Sequence, residues 1–205
     1  MLKLIHNPDR NIQFALACSG GVDSMAAADF FYRGKKNFKL AYFHHNTPQA
    51  DSMLELVLKW GRQHGIEVLC GNLTKQKPSN LSPEEFWRVE RYKWFDTLNM
   101  PIVTCHHLND VAETWIFSSL NGNPKIIAPK NGKVIRPFLL NSKQEMIDWC
   151  IRHNVSWFED KSNKDVKYPR NRIRHNILPE CLMVNPGLLK VMKKKIISSL
   201  ENKSQ

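Results

Sequence analysis

Long apolar runs are missing from this sequence. None approaches the roughly 20 residues that cross a bilayer as a helix, and Met1 to Arg10 lacks the apolar segment of a secretory signal. Cysteine is sparse and unpaired: Cys18, Cys70, Cys105, Cys150 and Cys181 are odd in number, and no two form a Cys-x-x-Cys. That spacing gives no support to a zinc ribbon, a dithiol redox centre or a disulfide framework. With the missing signal it makes a reducing, cytoplasmic setting the expectation. Acidic residues are also few, 19 Asp and Glu against 30 Lys and Arg, for a net charge of +11. Such an excess favours partners rich in phosphate over acidic ones, because each neutralised phosphate releases counterions. Neither Gly-Lys-Ser/Thr nor Gly-x-Gly-x-x-Gly occurs, which argues against a P-loop NTPase and a Rossmann dehydrogenase. There is no internal repeat and no low-complexity stretch.

What is present is a rhythm. Apolar runs at Phe14 to Cys18, Phe38 to Phe43, Ile66 to Leu69 and Pro101 to Cys105, with a short one at Lys133 to Ile135, read as five strands. Between them lie helical patterns. One follows Ser-Gly-Gly, capped by Asp23 or Ser24, and stops near Gly34. Others run from Ala50 to His64, from the Ser82-Pro83-Glu84-Glu85 start, from about Asp110 to Leu120, and from Ser142 to about His153. This alternation indicates βαβ crossovers and an α/β fold with a parallel sheet of about five strands flanked by helices. The last third is strandless and basic, with helices expected over Pro169 to Leu178 and Pro186 to Leu200. In the final helix Leu189, Met192, Ile196 and Leu200 share one face, and Lys190, Lys193, Lys194 and Lys195 cover the rest. The expected organisation is a catalytic domain over 1–155 with a basic helical extension, 156–205, packed on it.

Three stretches carry chemistry. Ser19-Gly20-Gly21-Val22-Asp23-Ser24 sits where a strand enters a helix, the place where open parallel sheets bind ligands. Two glycines let backbone amides turn inward, and the helix start adds positive potential, a cradle for phosphates. Asp23 would repel those phosphates unless it held a bridging Mg²⁺. A plain turn with an Asp cap is the competing account. Thr104-Cys105-His106-His107-Leu108-Asn109-Asp110-Val111-Ala112-Glu113-Thr114 places two imidazoles at a strand end and two carboxylates on one helix turn. A capping box formed by Asp110 and Glu113 explains it structurally. A zinc site of His106, His107 and Asp110 is the weaker reading, since hard oxygen ligands beside phosphates suit Mg²⁺. Tyr168-Pro169-Arg170-Asn171-Arg172-Ile173-Arg174-His175-Asn176-Ile177-Leu178-Pro179 puts Arg170 and Arg174 on one helix face, suited to phosphate or carboxylate, or to plain solvation.

The hexad Ser19 to Ser24 resembles the loop of the PP-loop ATP pyrophosphatases, which cleave ATP between the α and β phosphates and adenylylate a carbonyl oxygen. Further blocks resemble the tRNA(Ile)-lysidine synthetase family: the Asp51-Ser52 region, Glu84-x-x-Trp87-Arg88-x-x-Arg91-Tyr92, His106-His107-x-x-Asp110-x-x-Glu113-Thr114, Ile135-Arg136-Pro137, and Glu159-Asp160-x-Ser162-Asn163 leading into Arg170 to His175. The resemblance implies a Rossmann-like PP-loop fold and a ligase using ATP and Mg²⁺. It would adenylylate the anticodon cytidine C34 of tRNA(Ile) and join free lysine to it. It implies ATP on Ser19, Gly20, Gly21, Val22, Asp23 and Ser24, with catalysis by Asp23, Arg88, His107, Asp110 and Glu113. Mg²⁺ would lie on Asp23 and Asp110, and tRNA on Arg170, Asn171, Arg172, Arg174 and His175. Partners are then tRNA and lysine, with no membrane, and a homo-oligomer stays open. The chain departs from the family pattern at Asn46-Thr47-Pro48 and at Asn121-Gly122-Asn123-Pro124, and it stops at Gln205, where such proteins continue into further domains. Two other readings stand beside this one: an adenylylating modifier of other chemistry, such as a tRNA thiolation enzyme, and a non-catalytic ATP- or RNA-binding relative.

Overall fold

Phe14–Ala17 forms β1, apolar throughout because it lies inside a sheet covered on both faces. The computed structural model describes residues 2–159 and 165–201. Five more strands follow: β2 (Phe38–His44), β3 (Val68–Asn72), β4 (Ile102–Val103), β5 (Lys130–Asn131) and β6 (Val134–Ile135). Their order is β3-β2-β1-β4-β6-β5. All neighbours pair in parallel except β5, which runs antiparallel to β6. The sheet therefore has one strand more than expected. A hairpin through Gly132 (φ +57°) makes it, and two-residue strands leave no periodicity to read. The chain leaves β1 toward β2 on one side and β4 toward β6 on the other, so the carboxyl ends of β1 and β4 form a topological switch point.

Strand alternation divides the core. Leu16, Leu40, Tyr42 and Val103 face α1 (Val22–Arg33), α2 (Ala50–His64) and, through Phe138 and Met146, a later helix, α5 (Lys143–His153). Ala15, Ala41, Ile102 and Val134 face Phe95 of α3 (Pro83–Thr97). Small residues on that side let α3 lie close. A Cβ on Gly71 would come within 2.4 Å of the Trp94 ring. A third cluster joins Val111 and Ile116 of α4 (Leu108–Leu120) to the C-terminal helices. These are α6 (Pro169–Arg172), a π-helical turn over Ile173–Ile177, α7 (Leu178–Val184) and α8 (Leu188–Glu201). The face of α8 toward α4 is Leu188, Met192 and Ile196. Among the described residues no helix is long and apolar enough to cross a membrane.

Helix starts were partly legible. Ser82 Oγ accepts the Glu85 amide at 3.2 Å with Pro83 in the first turn, and Ser142 with Glu145 forms a complete capping box. Two expectations need correction. Helix α1 begins at Val22, with Gly21 before it and no side chain capping it, rather than being capped by Asp23 or Ser24. Helix α4 begins two residues before Asp110, and its box is His107 with Asp110, not Asp110 with Glu113.

Candidate active site

The loop after β1 is built around Gly20. Its φ of +81° suits glycine, and a Cβ there would sit 3.2 Å from the Met53 carbonyl oxygen. The loop is laced by short bonds. The Ser19 amide donates to Ser24 Oγ (3.2 Å), Ser24 Oγ donates to the Gly21 carbonyl (2.8 Å), and the Gly21 amide meets Ser19 Oγ at 3.4 Å. The Phe158 amide donates to the Gly20 carbonyl from the far end of the chain. Because no side chain caps α1, its first-turn amides are left for an anionic ligand.

Strand alternation continues past β2 and β4 and sorts four histidines. Val103 and Cys105 belong to the α1-side core, and His107 continues that side toward Asp23. Thr104 and His106 take the other side, joined by a 3.0 Å contact between Thr104 Oγ1 and His106 Nδ1. Likewise His44 turns to Asp51 at the start of α2 (3.1 Å), whereas His45 turns to Trp87 of α3.

On the α1 side a polar chain crosses the switch point. Lys143, the first residue of α5, donates to both Asp23 oxygens at 2.9 and 2.8 Å. His107 Nε2 lies 3.6 Å from Asp23 Oδ1. The His107 amide donates to Asp110 Oδ2 (2.9 Å), and the Asp110 amide reaches His107 Nδ1 at 3.4 Å. With Nδ1 accepting that amide, the neutral ring carries its proton on Nε2, toward Asp23. Arg174 then grips Glu113 with two hydrogen bonds, Nε at 2.8 Å and a terminal nitrogen at 2.9 Å, and reaches Asp110 at 3.4 Å.

Burial works against the Arg174 charge, but its bonds to Glu113 and the nearby Glu113, Asp110 and Asp23 charges outweigh that and raise its pKa. Burial pushes the Asp110 carboxyl up. The His107 and His106 imidazoles, the His107 amide and Arg174 more than reverse this, holding Asp110 below its ordinary range. His106 is lowered to about 4, chiefly by burial. Burial also drives the Cys105 thiol well above its ordinary value, so it is no ready nucleophile.

Asp23, His107, Asp110 and Glu113 are thus brought together beside the Ser19–Ser24 loop. Arg88 is not brought to them. It is exposed on α3 with its guanidinium carbon 5.6 Å from the Tyr92 ring centre. The basic block is also divided. Arg170, Arg172 and His175 are exposed, Asn171 is buried with its amide on the Asp165 carbonyl, and Arg174 is turned inward onto Glu113. The π turn begins at Ile173 and alters the helical phase that had set Arg174 above Arg170. Asp160 to Asn163 lie outside the described residues. Lys143 escaped sequence reasoning altogether, since a lysine after a serine cap carries no local signal. Among the described residues no group of three or more His, Cys, Asp or Glu side chains is arranged to hold a metal. That weighs against the zinc option of His106, His107 and Asp110. Asp23 and Asp110, each partly exposed, suit Mg²⁺ instead, which takes one or two carboxylates and completes its shell with phosphate oxygens and water.

The PP-loop domain family matches residues 1–181. The chain is similar to curated proteins named tRNA(Ile)-lysidine synthase. That of Exiguobacterium sibiricum is 31% identical over 197 residues, 89% of this chain and 46% of the relative. That of Thermosipho africanus is 30% identical over 195 residues, 87% of this chain and 46% of the relative. That of Haemophilus ducreyi is 30% identical over 176 residues, 80% and 41% respectively. The chain therefore spans somewhat under half the length of these relatives.

Proposed function

The chain belongs to the PP-loop family, and from that membership we propose that it works as an ATP-dependent tRNA-modifying ligase of the lysidine-forming kind. The C2 carbonyl oxygen of the anticodon cytidine C34 attacks the α phosphorus of ATP, and pyrophosphate leaves. The ε-amino nitrogen of free lysine then attacks C2, the C2–O bond breaks, and AMP departs.

Each part of the site has a task in this reading. Amides of Gly21 to Ser24 and the uncapped start of α1 hold the phosphates and offset charge on the leaving pyrophosphate. Lys143, already on Asp23, supplies a second cation there. Asp23 and Asp110 are the side chains that would hold Mg²⁺, which would supply neutralisation of the phosphate charge. Asp110 and Glu113 form an acidic pocket for the lysine ammonium, and Arg174 fixes the orientation of both. The amine attacks only when neutral, so a group must take its proton. Asp23, Asp110 or His107 is the group to take it, the His107 ring lying between the two carboxylates with Nε2 3.6 Å from Asp23 and Nδ1 3.4 Å from the Asp110 amide.

The observation that carries the reading is the junction of Asp23 and Asp110 through His107 beside the glycine loop, with Glu113 and Arg174 closing its far end. The test incubates the protein with ATP, Mg²⁺, labelled lysine and bulk tRNA, and weighs the modified nucleoside. Label in tRNA with the mass of lysidine supports the reading. Pyrophosphate release without lysine incorporation points to an adenylylating modifier of other chemistry. ATP binding without turnover points to a non-catalytic relative. Asp23→Asn should cut pyrophosphate release by about 10²-fold or more, in the range of a lost electrostatic contact. Unchanged release removes Asp23 from the phosphate site.

A further inference from the structure

Along α1, away from the switch point, lies a cavity of about 470 Å³ that adenylylation leaves unused. It is bounded by Met25 and Asp29 of α1, by α2 from Ser52 to His64, and by the segment that follows α5, 153–156. It shares no side chain with the polar chain from Lys143 to Arg174. Asp29 follows Asp23 by six residues on α1, about 9 Å along the helix axis and on another face.

The Asp29 carboxylate is only 4% exposed. Both of its hydrogen bonds, from Arg33 Nε and Trp149 Nε1 at 2.8 Å each, end on Oδ2. Among the described residues Oδ1 accepts none, which leaves half of a desolvated anion open to a donor in the cavity. Glu55 and Lys59 stand one turn apart on α2, in the order that favours an ion pair, yet among the described residues no ion pair joins them. Both charges are therefore available to a ligand. Leu56, Trp60 and Val155 add apolar surface, and the Trp60 ring is steadied by stacking on His64, 4.1 Å between centres. The charges of Asp29 and Glu55 cancel those of Arg33 and Lys59, which suits a ligand carrying one charge of each sign.

We propose that this cavity binds a free α-amino acid with an apolar side chain, and that its occupancy is felt at the glycine loop. The ammonium group goes to Asp29 Oδ1 and Glu55, the carboxylate to Lys59 and the exposed side of Arg33, and the side chain to Leu56, Trp60 and Val155. Both flanks of the cavity lead to Gly20. On the α2 flank Met53 follows Ser52, and its carbonyl oxygen lies 3.2 Å from where a Cβ on Gly20 would sit. On the other flank the Phe158 amide, two residues past Ser156, donates to the Gly20 carbonyl at 2.9 Å. The segment 154–157 also borders a second hollow with Cys150 and Ile151, so it has room to shift when the first is filled. A ligand that draws the two flanks together steadies the turn between them, and a steadier turn binds phosphate more tightly.

The test titrates L-leucine into the full chain by calorimetry, with isoamylamine and isocaproate as probes that keep one of its two charges each. Leucine should bind, and each half-ligand at least about tenfold more weakly. Glu55→Gln and Lys59→Met change exposed side chains, so the fold is kept, and each should weaken leucine about tenfold. Asp29→Asn should weaken it further, with a thermal melt of that variant to show that it is folded. Saturating leucine should tighten ATP about fivefold in the wild type. Absence of leucine binding at millimolar concentration overturns the cavity, and so does an affinity that isoamylamine or isocaproate matches. Leucine affinity unchanged in both Glu55→Gln and Lys59→Met places the ligand elsewhere and overturns it too. Leucine bound with the ATP affinity unmoved overturns the coupling. Protein that binds leucine as expected but no ATP upholds the cavity and overturns the phosphate reading of the loop.

Discussion

Glu113 is buried at the end of the polar chain with both oxygens on Arg174, whose guanidinium balances its charge. Glu113→Gln keeps the shape and removes the charge. Arg174 is 38% exposed and water takes up part of its loss, so the expected cost is about 1–2 kcal/mol, below that of a fully buried pair. On the proposed reading the same change should raise the KM for lysine about tenfold with little change in the Kd for ATP, because Glu113 holds Arg174 beside Asp110 and away from the loop. Steady-state kinetics at varied lysine checks this, and a raised ATP Kd would move Glu113 to the triphosphate side. Gly20 supports a second residue-scale expectation. Alanine there meets both a left-handed φ and the Met53 carbonyl, so Gly20→Ala should cost about 1–2 kcal/mol from conformation alone. It should also abolish measurable ATP binding, as seen by calorimetry. Retained affinity would mean that the loop does not cradle phosphate.

At the level of elements, α5 shows how a cap can serve a site. Ser142 and Glu145 exchange hydrogen bonds at the helix start, which fixes the first residue of the helix, Lys143, on Asp23. Burial alone would raise the Glu145 pKa, but the Ser142 amide and hydroxyl more than reverse it, and the carboxyl titrates below its ordinary value. Ser142→Ala should cost about 1 kcal/mol in chemical denaturation, with a modest loss of ATP affinity as Lys143 loosens. Helix α5 was readable in the sequence because serine, glutamate and an apolar face recur at helical spacing. Helix α6 was readable only in part. Proline marked its start, but the π turn at Ile173–Ile177 left no local sign, and it decides which arginine faces in.

For the molecule as a whole, the two neutral imidazoles set an acid limit. His45 and His106 titrate near 4 when folded against an ordinary 6.5. Over that window the unfolded chain binds the extra protons, so stability is complete above about pH 6.5 and falls as the pH drops toward 4. The slope is about 1.4 kcal/mol per pH unit for each ring. Asp110, held below its ordinary value, adds its loss at lower pH still. Thermal melts from pH 8 to 4 should show this fall, and His106→Gln should roughly halve it. A flat profile would place both rings in water.

The sequence by itself determined the alternation of strands and helices, the place of the glycine loop at the first strand end, and the shared helix turn of Asp110 and Glu113. All three follow from local periodicity and the conformational needs of glycine. Only the tertiary structure decided that Lys143 meets Asp23 across 120 residues, that Arg174 spends its charge on Glu113 across 61, and that His106 and His107 part to opposite faces. It also left Arg88 exposed while Arg91, three residues on in the same helix, is half-buried. Such pairings are set by how buried faces stack and by where desolvated charges find partners, and neither is written in the spacing of neighbouring residues.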